Sequence, residues 1–305
     1  MRYIRNTQDF HIPEPSVLSL GKFDGLHLGH KHLIHELEKG QKAGYRSVIF
    51  TFDIPPRSLS EHDCRVLSTN KEKEHIFKEA GIDYVIECPF TDELKQMEPR
   101  AFLKMLTDQI CVRQIVAGRD FRFGRDRSGS PADLVKYQDE LGYRAVIVDK
   151  IQYKGEDISS TRIRTLVCGG RIEEANRLLG YPYFLTGRVQ HGNEIGRRIG
   201  FPTVNIVPPE TKLLPPNGVY VSLATLEGET FRGVSNVGCK PSIEGTHPIG
   251  VETHIFDFDR RIYDREIQIS LLRYLRPEQK FDSLEALRRQ MEADRKEAES
   301  YCMGQ

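Results

Sequence analysis

One ten-residue segment, Gly21-Lys-Phe-Asp-Gly-Leu-His-Leu-Gly-His30, combines three glycines with two histidines three positions apart. It follows the apolar run Ser16–Leu20 and precedes Lys31–Glu38, which has a helical pattern. The first turn of a helix attracts phosphate because its N–H groups are unpaired and carry partial positive charge. His27 and His30 would share one face of that turn and donate hydrogen bonds to phosphate oxygens. We therefore interpret the segment as a nucleotide-phosphate cradle that includes Gly21, Phe23, Asp24, His27, Gly29 and His30.

Three further segments could complete this first site. Thr51-Phe-Asp53 ends a predicted strand with a carboxylate, and Gly118–Gly124 ends another with aromatic and arginine side chains that can stack on a flat ring. Ile158–Arg164 opens a helix whose hydroxyls and arginine can hold phosphate. The candidate contacts of a flat-ring ligand are Asp53, Asp120, Phe121 and Phe123, and the candidate phosphate ligands are Ser159, Ser160, Thr161 and Arg162.

These segments contain no nucleophile paired with a base. This is expected if the acceptor is a phosphate monoester, because its second pKa of about 6 leaves it nearly dianionic at neutral pH. Such an acceptor can attack the α-phosphorus of ATP if the enzyme supplies positioning and charge stabilisation.

A second candidate site occupies Gly192–Asn205 and Val251–Phe256. In an extended segment Thr203 and Asn205 point to the same face, and their hydroxyl and amide oxygens suit a Mg²⁺ ion that bridges ATP phosphates. Glu252 is the candidate base for a kinase that acts on an alcohol. The glycines 192, 196 and 200 predict a flexible flap, with Arg197 and Arg198 able to reach phosphate; Gly196, Gly200 and Pro202 are the candidate nucleotide contacts.

The elements that must position these groups differ between the two halves. Up to about residue 180, nearly continuous apolar runs alternate with helical patterns, which predicts a doubly wound α/β domain with a parallel sheet. Ligands of such sheets bind beyond the carboxyl ends of the strands, where the glycine turn falls. We expect helices near 71–80, 99–109 and 132–141, and strands that contain 17–20, 47–52, 84–88, 114–118 and 145–148.

After about residue 184, short strand patterns separated by proline and glycine predict an antiparallel barrel or sandwich. Asp282-Ser-Leu-Glu285 reads as a capping box, with Asp282 as N-cap, for a terminal helix. Leu284, Leu287 and Met291 are expected to form the stripe by which that helix packs on the barrel. The domain boundary is expected in Gly180–Tyr183, giving domains 1–182 and 183–305.

The composition limits the classes of function. The 305 residues suffice for two domains, and 44 Lys and Arg balance 44 Asp and Glu, which gives no support for a nucleic-acid partner or an anionic membrane surface. We find neither a run of roughly 20 apolar residues nor the apolar core of a secretory signal. The six cysteines are scattered, so we expect reduced thiols and a cytoplasmic location. The oligomeric state stays open, a homo-oligomer included.

The motifs of both halves together resemble the bifunctional bacterial FAD synthetases. The His-x-Gly-His motif of the cradle resembles that of the nucleotidylyltransferase superfamily, and the likeness extends over essentially all 305 residues. It implies that the second half phosphorylates riboflavin with MgATP to FMN, Thr203 and Asn205 binding the metal and Glu252 activating the flavin hydroxyl. It also implies that the first half converts FMN and ATP to FAD and pyrophosphate, with Asp53, Asp120, Phe121 and Phe123 as the flavin contacts.

The sequence departs from the family pattern at three places. Ile54-Pro55-Pro56 replaces the usual Pro-His-Pro, Pro241-Ser242 replaces Pro-Thr, and Asp264 follows Tyr263 where glycine is usual. Two alternatives stay open at this point. One is another nucleotidylyltransferase whose second half is a specificity module, and the other is a barrel that binds flavin or nucleic acid without turnover.

Overall fold

The computed structural model describes residues 1–53, 65–191, 196, 200–239 and 249–303 of the 305-residue chain. Contacts between Cα atoms divide the chain into two units. The first contains Met1–Cys64 and Ser68–Ser160, and the second contains Arg65–Leu67 and Thr161–Gln305.

The first unit contains a parallel sheet with helices on both faces. Its elements are β1 (Arg2–Arg5), β2 (Ile12–Leu20), α1 (Leu28–Lys42), β3 (Arg46–Asp53), α2 (Asn70–Glu79), β4 (Tyr84–Pro89), α3 (Asp92–Gln96), α4 (Pro99–Gln109), β5 (Ile110–Gly118), α5 (Pro131–Leu141), β6 (Arg144–Val148), β7 (Gln152–Tyr153) and β8 (Glu156–Asp157). The six-stranded sheet has the order β1-β4-β3-β2-β5-β6, with every pair parallel.

Alternate residues of the central strands supply two separate cores, which is why the runs are almost wholly apolar. Leu18 and Leu20 pack in one cluster and Val17 in another, and β3 repeats this alternation with Phe50 and Ile49. The prediction of a doubly wound α/β domain is therefore confirmed. The edge strand β1 was not predicted, because a four-residue strand that begins and ends with arginine has almost no hydrophobic pattern.

Strand order fixes where a ligand can bind in the first unit. After β2 the chain adds β3 on one side of it, whereas β5 lies on the other side. The order of strands therefore reverses at β2, and the crevice beyond its carboxyl end is the expected ligand site of an open α/β sheet. Gly21 follows directly after this end of β2.

The second unit is an antiparallel β domain with helices before and after it. Its elements are α6 (Ser160–Cys168), α7 (Ile172–Leu179), β9 (Tyr183–Arg188), β10 (Val204–Ile206), β11 (Gly218–Leu226), β12 (Glu229–Cys239), β13 (Ile249–Ile255), β14 (Glu266–Arg276) and α8 (Leu284–Met303). The sheet order is β10-β13-β12-β11-β14-β9. An antiparallel bridge between Gln190 and Asn205 joins the two outer strands, so the sheet curls into a barrel, as predicted.

The start of α8 differs from the prediction. The side chain of Ser283, not that of Asp282, caps the helix, because Ser283 Oγ accepts a hydrogen bond from the Ala286 N–H at 3.1 Å. Leu284 is half exposed, so the predicted stripe is wrong at its first residue. Asp294 and Ala298, further along α8, are the buried residues of the helix.

Further expectations from the sequence concern the cysteines, the turn at Asp264 and the other departures from the family pattern. Cys88, Cys111, Cys168 and Cys302 are free thiols, as expected. Asp264 has φ of +61°, the left-handed region that glycine adopts most easily, so the turn at this departure from the family pattern uses a glycine-like conformation. Ile54–Pro56, Pro241, Ser242, Gly192, Arg197 and Arg198 lie outside the described residues.

Candidate functional sites

The cradle is a tight turn between β2 and α1 with unusual backbone conformations. Phe23, Gly25 and Leu26 have φ of +49°, +80° and +32°. The Gly21 N–H donates to the Phe50 carbonyl at 3.1 Å and so extends the pairing of β2 with β3. The turn therefore bends sharply at the sheet edge and directs the chain into α1 with His27 at the N-cap position.

Phe23 occupies a different position from the other cradle residues. Its side chain is fully buried, with its ring centroid 5.7 Å from that of Phe77 and 5.2 Å from that of His30. Phe23 was predicted as a nucleotide contact, and in this arrangement only its main chain is available to a ligand. Its ring instead supports His30 from the core side.

His27 and His30 lie together at the start of α1, as their spacing predicted. Their rings stack with centroids 3.9 Å apart and an interplanar angle of 26°. Each Nδ1 is buried and has no hydrogen-bond partner among the described residues. Gly29 makes room for the arrangement, since a Cβ built there would lie 3.1 Å from the His27 ring.

Both histidines are held in the neutral form. Burial lowers the pKa of His27 to about 4, against a smaller opposing effect of the Asp120 carboxylate. Burial also lowers the pKa of His30 well below its usual range, and proximity to His27 lowers it further. A neutral imidazole has one N–H donor and one acceptor nitrogen, so the pair can donate to phosphate without carrying a fixed charge.

Asp24 is bound to two segments that the sequence places far from it. Its Oδ1 accepts a hydrogen bond from the Ser68 N–H at 3.1 Å, and its main-chain carbonyl accepts one from Ser160 Oγ at 2.8 Å. Asp24 itself is buried. Asp24 and Ser160, both predicted as phosphate-binding residues, thus form part of the scaffold that fixes the cradle.

The predicted flavin-contact residues lie at the ends of the strands on either side of β2. Asp53 ends β3, and Asp120 follows β5, near enough to influence the pKa of His27. Phe121 and Phe123 stack with ring centroids 5.4 Å apart. Phe123 is only 7% exposed and belongs to the hydrophobic core, whereas Phe121 is partly exposed.

One charged group beside the cradle was not predicted from the sequence. Lys73 on α2 is buried, and burial lowers its pKa while the carboxylates of Glu87, Asp24 and Asp53 oppose that effect. Lys73 precedes the buried Phe77 by four residues, so it lies on the apolar face of α2. A lysine on the apolar face of a predicted helix is the signal that could have identified it.

The helix α6 begins at Ser160, directly after Ser159. Ile163 and Leu166 are buried, as the predicted stripe requires. Thr161 is exposed and Arg162 partly exposed, and both belong to the second unit.

In the barrel, β10 and β13 bring the predicted kinase residues together. Asn205 and Glu252 are directly opposite in the antiparallel register. Thr203, one residue before β10, donates its hydroxyl to Glu252 Oε1 at 2.6 Å. Asn205 is buried, and its main-chain carbonyl accepts a hydrogen bond from the Gln190 N–H at 2.8 Å. The barrel thus fixes both ends of the segment Thr203–Asn205.

The residues that lead into this segment are tightly constrained. The Phe201 N–H donates to the Gly196 carbonyl at 2.8 Å, and a Cβ on Gly196 would lie 2.3 Å from the Phe201 carbonyl oxygen. Gly200 has φ of +86°. Two of the predicted glycine positions therefore require glycine for steric reasons.

The oxygens offered here suit Mg²⁺ bound jointly with a nucleotide. The described residues include no group of three His, Cys, Asp or Glu side chains that could hold a metal ion. Thr203 and Asn205 provide a hydroxyl and an amide oxygen, which are hard ligands but too few to bind a cation alone. Phosphate oxygens and water would have to complete the coordination, as is usual for Mg²⁺ in kinases.

The fold and these two candidate sites define a class of protein, a transferase with a candidate nucleotide-phosphate site on an α/β unit and a candidate kinase site on a β-barrel. Comparison with family models agrees, because the model described as FAD synthetase matches residues 9–162 and the model described as riboflavin kinase matches residues 179–302.

Curated relatives identify the family. The bifunctional riboflavin kinase/FMN adenylyltransferase of Listeria monocytogenes is 36% identical over 93% of this chain and 92% of its own length. Proteins of the same name from Bacillus subtilis and Escherichia coli K12 are 32% and 35% identical, covering 99% and 92% of this chain and 98% and 91% of their own lengths. This chain belongs to that bifunctional family and is a transferase with riboflavin kinase and FMN adenylyltransferase activities, so its substrates are riboflavin, FMN and ATP.

The architecture also matches a solved structure over nearly the whole chain. A protein described as a macrolide-efflux protein from Streptococcus pneumoniae is 32% identical, with a TM-score of 0.85 and 97% of each chain covered. Within the described ranges, we find no helix with the length and apolar character that crossing a membrane requires.

Proposed function

We propose that Glu252 is the general base of the riboflavin kinase reaction in the barrel. The observation that carries this proposal is the 2.6 Å hydrogen bond from Thr203 Oγ1 to Glu252 Oε1, which joins the base to a metal ligand. The terminal ribityl hydroxyl of riboflavin is an alcohol and must lose its proton to become an effective nucleophile. Glu252 accepts that proton while the hydroxyl oxygen bonds to the γ-phosphorus of ATP and ADP leaves.

We propose that Thr203 and Asn205 hold Mg²⁺ together with ATP phosphate oxygens. A hydroxyl oxygen can give a lone pair to a cation while its hydrogen is donated elsewhere, so the contact of Thr203 with Glu252 is compatible with ligation. When bound, the metal neutralises phosphate charge. Gly196, Gly200 and Pro202 let the main chain approach the nucleotide closely.

For FMN adenylyltransfer, we propose that the neutral imidazoles of His27 and His30 donate hydrogen bonds to the phosphates of ATP. The FMN phosphate carries its own negative charge and attacks the α-phosphorus without a base. A bond forms between the two phosphates, the bond to the β-phosphate oxygen breaks, and pyrophosphate leaves. Charge stabilisation by donors fixed before the reaction is then the main catalytic contribution.

Other predicted residues of the first half complete the proposal. Arg162, Ser159 and Thr161 bind phosphate, while Gly21, Asp24, Gly29 and Ser160 hold the turn in shape. Asp53, Asp120 and Phe121 contact the flavin, and Phe123 supports Phe121 from the core.

The same proposal includes the limits of the two domains, the cellular location of the enzyme and the absence of a nucleic-acid partner. The adenylyltransferase domain runs over 1–182 and the kinase domain over 183–305, a boundary that lies close to the start of the riboflavin kinase match at residue 179. We propose that the enzyme works in the cytoplasm, where ATP for both steps is available. No nucleic acid takes part, in keeping with the zero formal net charge.

Paired variants test the two assignments, because each site serves as a control for the other. We expect Glu252→Gln to reduce FMN formation from riboflavin by at least ~10²-fold and to leave the conversion of supplied FMN to FAD unchanged. His30→Ala should reduce FAD formation and leave FMN formation unchanged. Product chromatography after incubation with riboflavin or FMN, ATP and Mg²⁺ measures both steps.

Matched controls make the outcomes specific. Glu229→Gln removes an exposed carboxylate of β12 that pairs with Arg260, and His35→Ala removes an exposed histidine of α1; neither should change either activity. Full kinase activity in Glu252→Gln would overturn the assignment of the base. A normal FAD yield in His30→Ala would remove that histidine from the mechanism.

A further inference from the structure

A histidine on β13 binds the residue that precedes the metal-ligand segment. His254 Nδ1 lies 2.9 Å from the main-chain carbonyl oxygen of Pro202. A carbonyl oxygen can only accept, so His254 Nδ1 carries the hydrogen in this contact. His254 as a residue is 8% exposed, and its ring packs edge-on against Phe201, with centroids 5.0 Å apart.

This contact attaches the chain to β13 beyond the end of the main-chain ladder. The ladder between β10 and β13 begins with Val204 opposite Thr253. Pro202 lies two residues before this point and has no N–H to donate to β13. Its carbonyl is instead bonded by the side chain of His254.

Two residues of β13 therefore fix Thr203, one through its side chain and one through the peptide group that precedes it. Its hydroxyl donates to Glu252, and the peptide group that joins it to Pro202 is held by His254. Glu252 and His254 are two positions apart on β13 and therefore share a face. Rotation of the peptide between Pro202 and Thr203 would turn the hydroxyl away from Glu252.

We propose that His254 is a positioning residue of the kinase site, which fixes this peptide and thereby aims the Thr203 hydroxyl at Glu252 and at Mg²⁺. The inference rests on the proposed roles of Thr203 and Glu252. It assigns to His254 no contact with substrate, metal or the reacting atoms.

The surroundings of the ring favour its neutral form. Burial lowers the pKa of His254, and the positive charge of Arg295 on α8 lowers it further, while the Pro202 carbonyl and Asp257 have the opposite effect. A neutral imidazole adds no positive charge beside a cation site. Nε2 has no partner among the described residues, so the function depends on Nδ1 alone.

Substitutions that separate the two ring nitrogens test the proposal. The amide nitrogen of Asn falls near the position of Nδ1, whereas that of Gln falls near Nε2. We expect His254→Gln and His254→Ala to lower the kinase kcat at least ~10-fold, because small displacements of catalytic groups have effects of this size. We also expect them to raise the Mg²⁺ concentration needed for half-maximal activity. His254→Asn should remain within about threefold of the parent chain, since it restores the one donor that matters.

Near-UV circular dichroism and urea unfolding of the second unit report whether each variant folds, because His254 lies in the barrel. The FMN adenylyltransferase activity of the same preparations measures the amount of enzyme whose first unit is intact. Equal losses in His254→Asn and His254→Ala would overturn the proposal, as would an unchanged Mg²⁺ requirement in His254→Gln. If His254→Ala fails to fold, His254→Asn is compared with His254→Gln instead, and equal losses of kcat in these two variants would overturn the proposal.

A double variant distinguishes positioning from general packing. If His254 acts through the Thr203 hydroxyl, His254→Gln should reduce kcat by less than about twofold in a Thr203→Val background, because the hydroxyl to be aimed is gone. Independent, additive losses would overturn the inference while leaving the role of Glu252 intact. Full kinase activity in Glu252→Gln would instead overturn the proposed function, so the two failures are distinguishable.

Discussion

Gly29 lies against the imidazole of His27 so closely that a Cβ at this position would lie 3.1 Å from two ring atoms. Gly29 therefore does more than let a phosphate approach the main chain, since it also leaves room for the His27 ring to stack on His30. A glycine between the two histidines is thus required for packing of their rings as well as for ligand binding.

We therefore expect Gly29→Ala to displace the His27 ring and lower kcat/KM for FMN adenylyltransfer about 10-fold, with riboflavin kinase activity unchanged. In a His27→Ala background the same substitution should have little further effect, because the ring that it displaces is absent. Steady-state kinetics of both reactions on the four proteins give the comparison. Equal effects of Gly29→Ala in the two backgrounds would contradict this explanation.

The neutral histidines predict a pH dependence of stability. An unfolded histidine titrates near pH 6.5, whereas burial lowers the pKa of His27 to about 4 in the folded chain. Between these values the unfolded state binds more protons, so the free energy of unfolding decreases as the pH falls from about 6.5 to about 4. For His27 the loss across this range is about 3 kcal/mol.

Urea unfolding of the first unit at several pH values measures this effect. His27→Asn should weaken the dependence between pH 6.5 and 4, while His35→Asn, at an exposed position of α1, should leave it unchanged. An identical pH dependence in His27→Asn and the parent chain would show that His27 is not held neutral by the fold.

The contact between α1 and β2 allows a prediction about packing. A Cβ on Gly40 would lie 2.5 Å from Val17 Cγ1, in the core between helix and sheet. Gly40→Ala should destabilise the first unit by about 2 kcal/mol in spite of the higher helix propensity of alanine. Val17→Ala removes both methyl groups but keeps Val17 Cβ, which would lie 2.8 Å from the new Cβ, so it relieves the clash in part. The double variant should therefore be more stable than the sum of the single effects predicts, by ~1 kcal/mol. Additive single and double effects in urea unfolding would contradict the predicted clash.

The docking of α8 depends on an ion pair between the buried Asp294 and the partly buried Arg276. Arg276 Nε and Nη2 donate to the two Asp294 carboxylate oxygens at 2.9 and 2.7 Å, and the two side chains are 16% and 6% exposed. Asp294→Ala should reduce the free energy of unfolding of the second unit by about 2 kcal/mol, because it leaves a largely enclosed guanidinium without its carboxylate. Replacement of both residues, Arg276→Met with Asp294→Leu, should cost less than Asp294→Ala alone.

Glu292→Ala is the matched control on the same helix, since Glu292 forms an exposed pair with Arg288. We expect its effect on the free energy of unfolding to be below about 0.5 kcal/mol. If Glu292→Ala and Asp294→Ala destabilise the unit equally, burial of the pair is not the cause.

Much of the fold could be predicted from local patterns. The apolar runs of β2 to β6 and the limits of α4 followed from spacing, because a strand buried on both faces requires apolar side chains throughout. The capping residue of α8 could not be predicted in this way, since Asp282 and Ser283 are both good N-caps. The choice depends on where the helix begins relative to the barrel.

By itself, the sequence determined which chemical groups exist and which neighbours share a face, because helix and strand periods fix those relations locally. His27 and His30, and likewise Thr203 and Asn205, were recognised for this reason. Only the tertiary structure decided what each group contacts. The bond between Thr203 and Glu252 joins residues 49 positions apart, and the attachment of Asp24 to Ser160 spans 136 positions. Burial depends on such distant neighbours, so the neutral state of the cradle histidines and the core position of Phe123 became evident only in the folded chain.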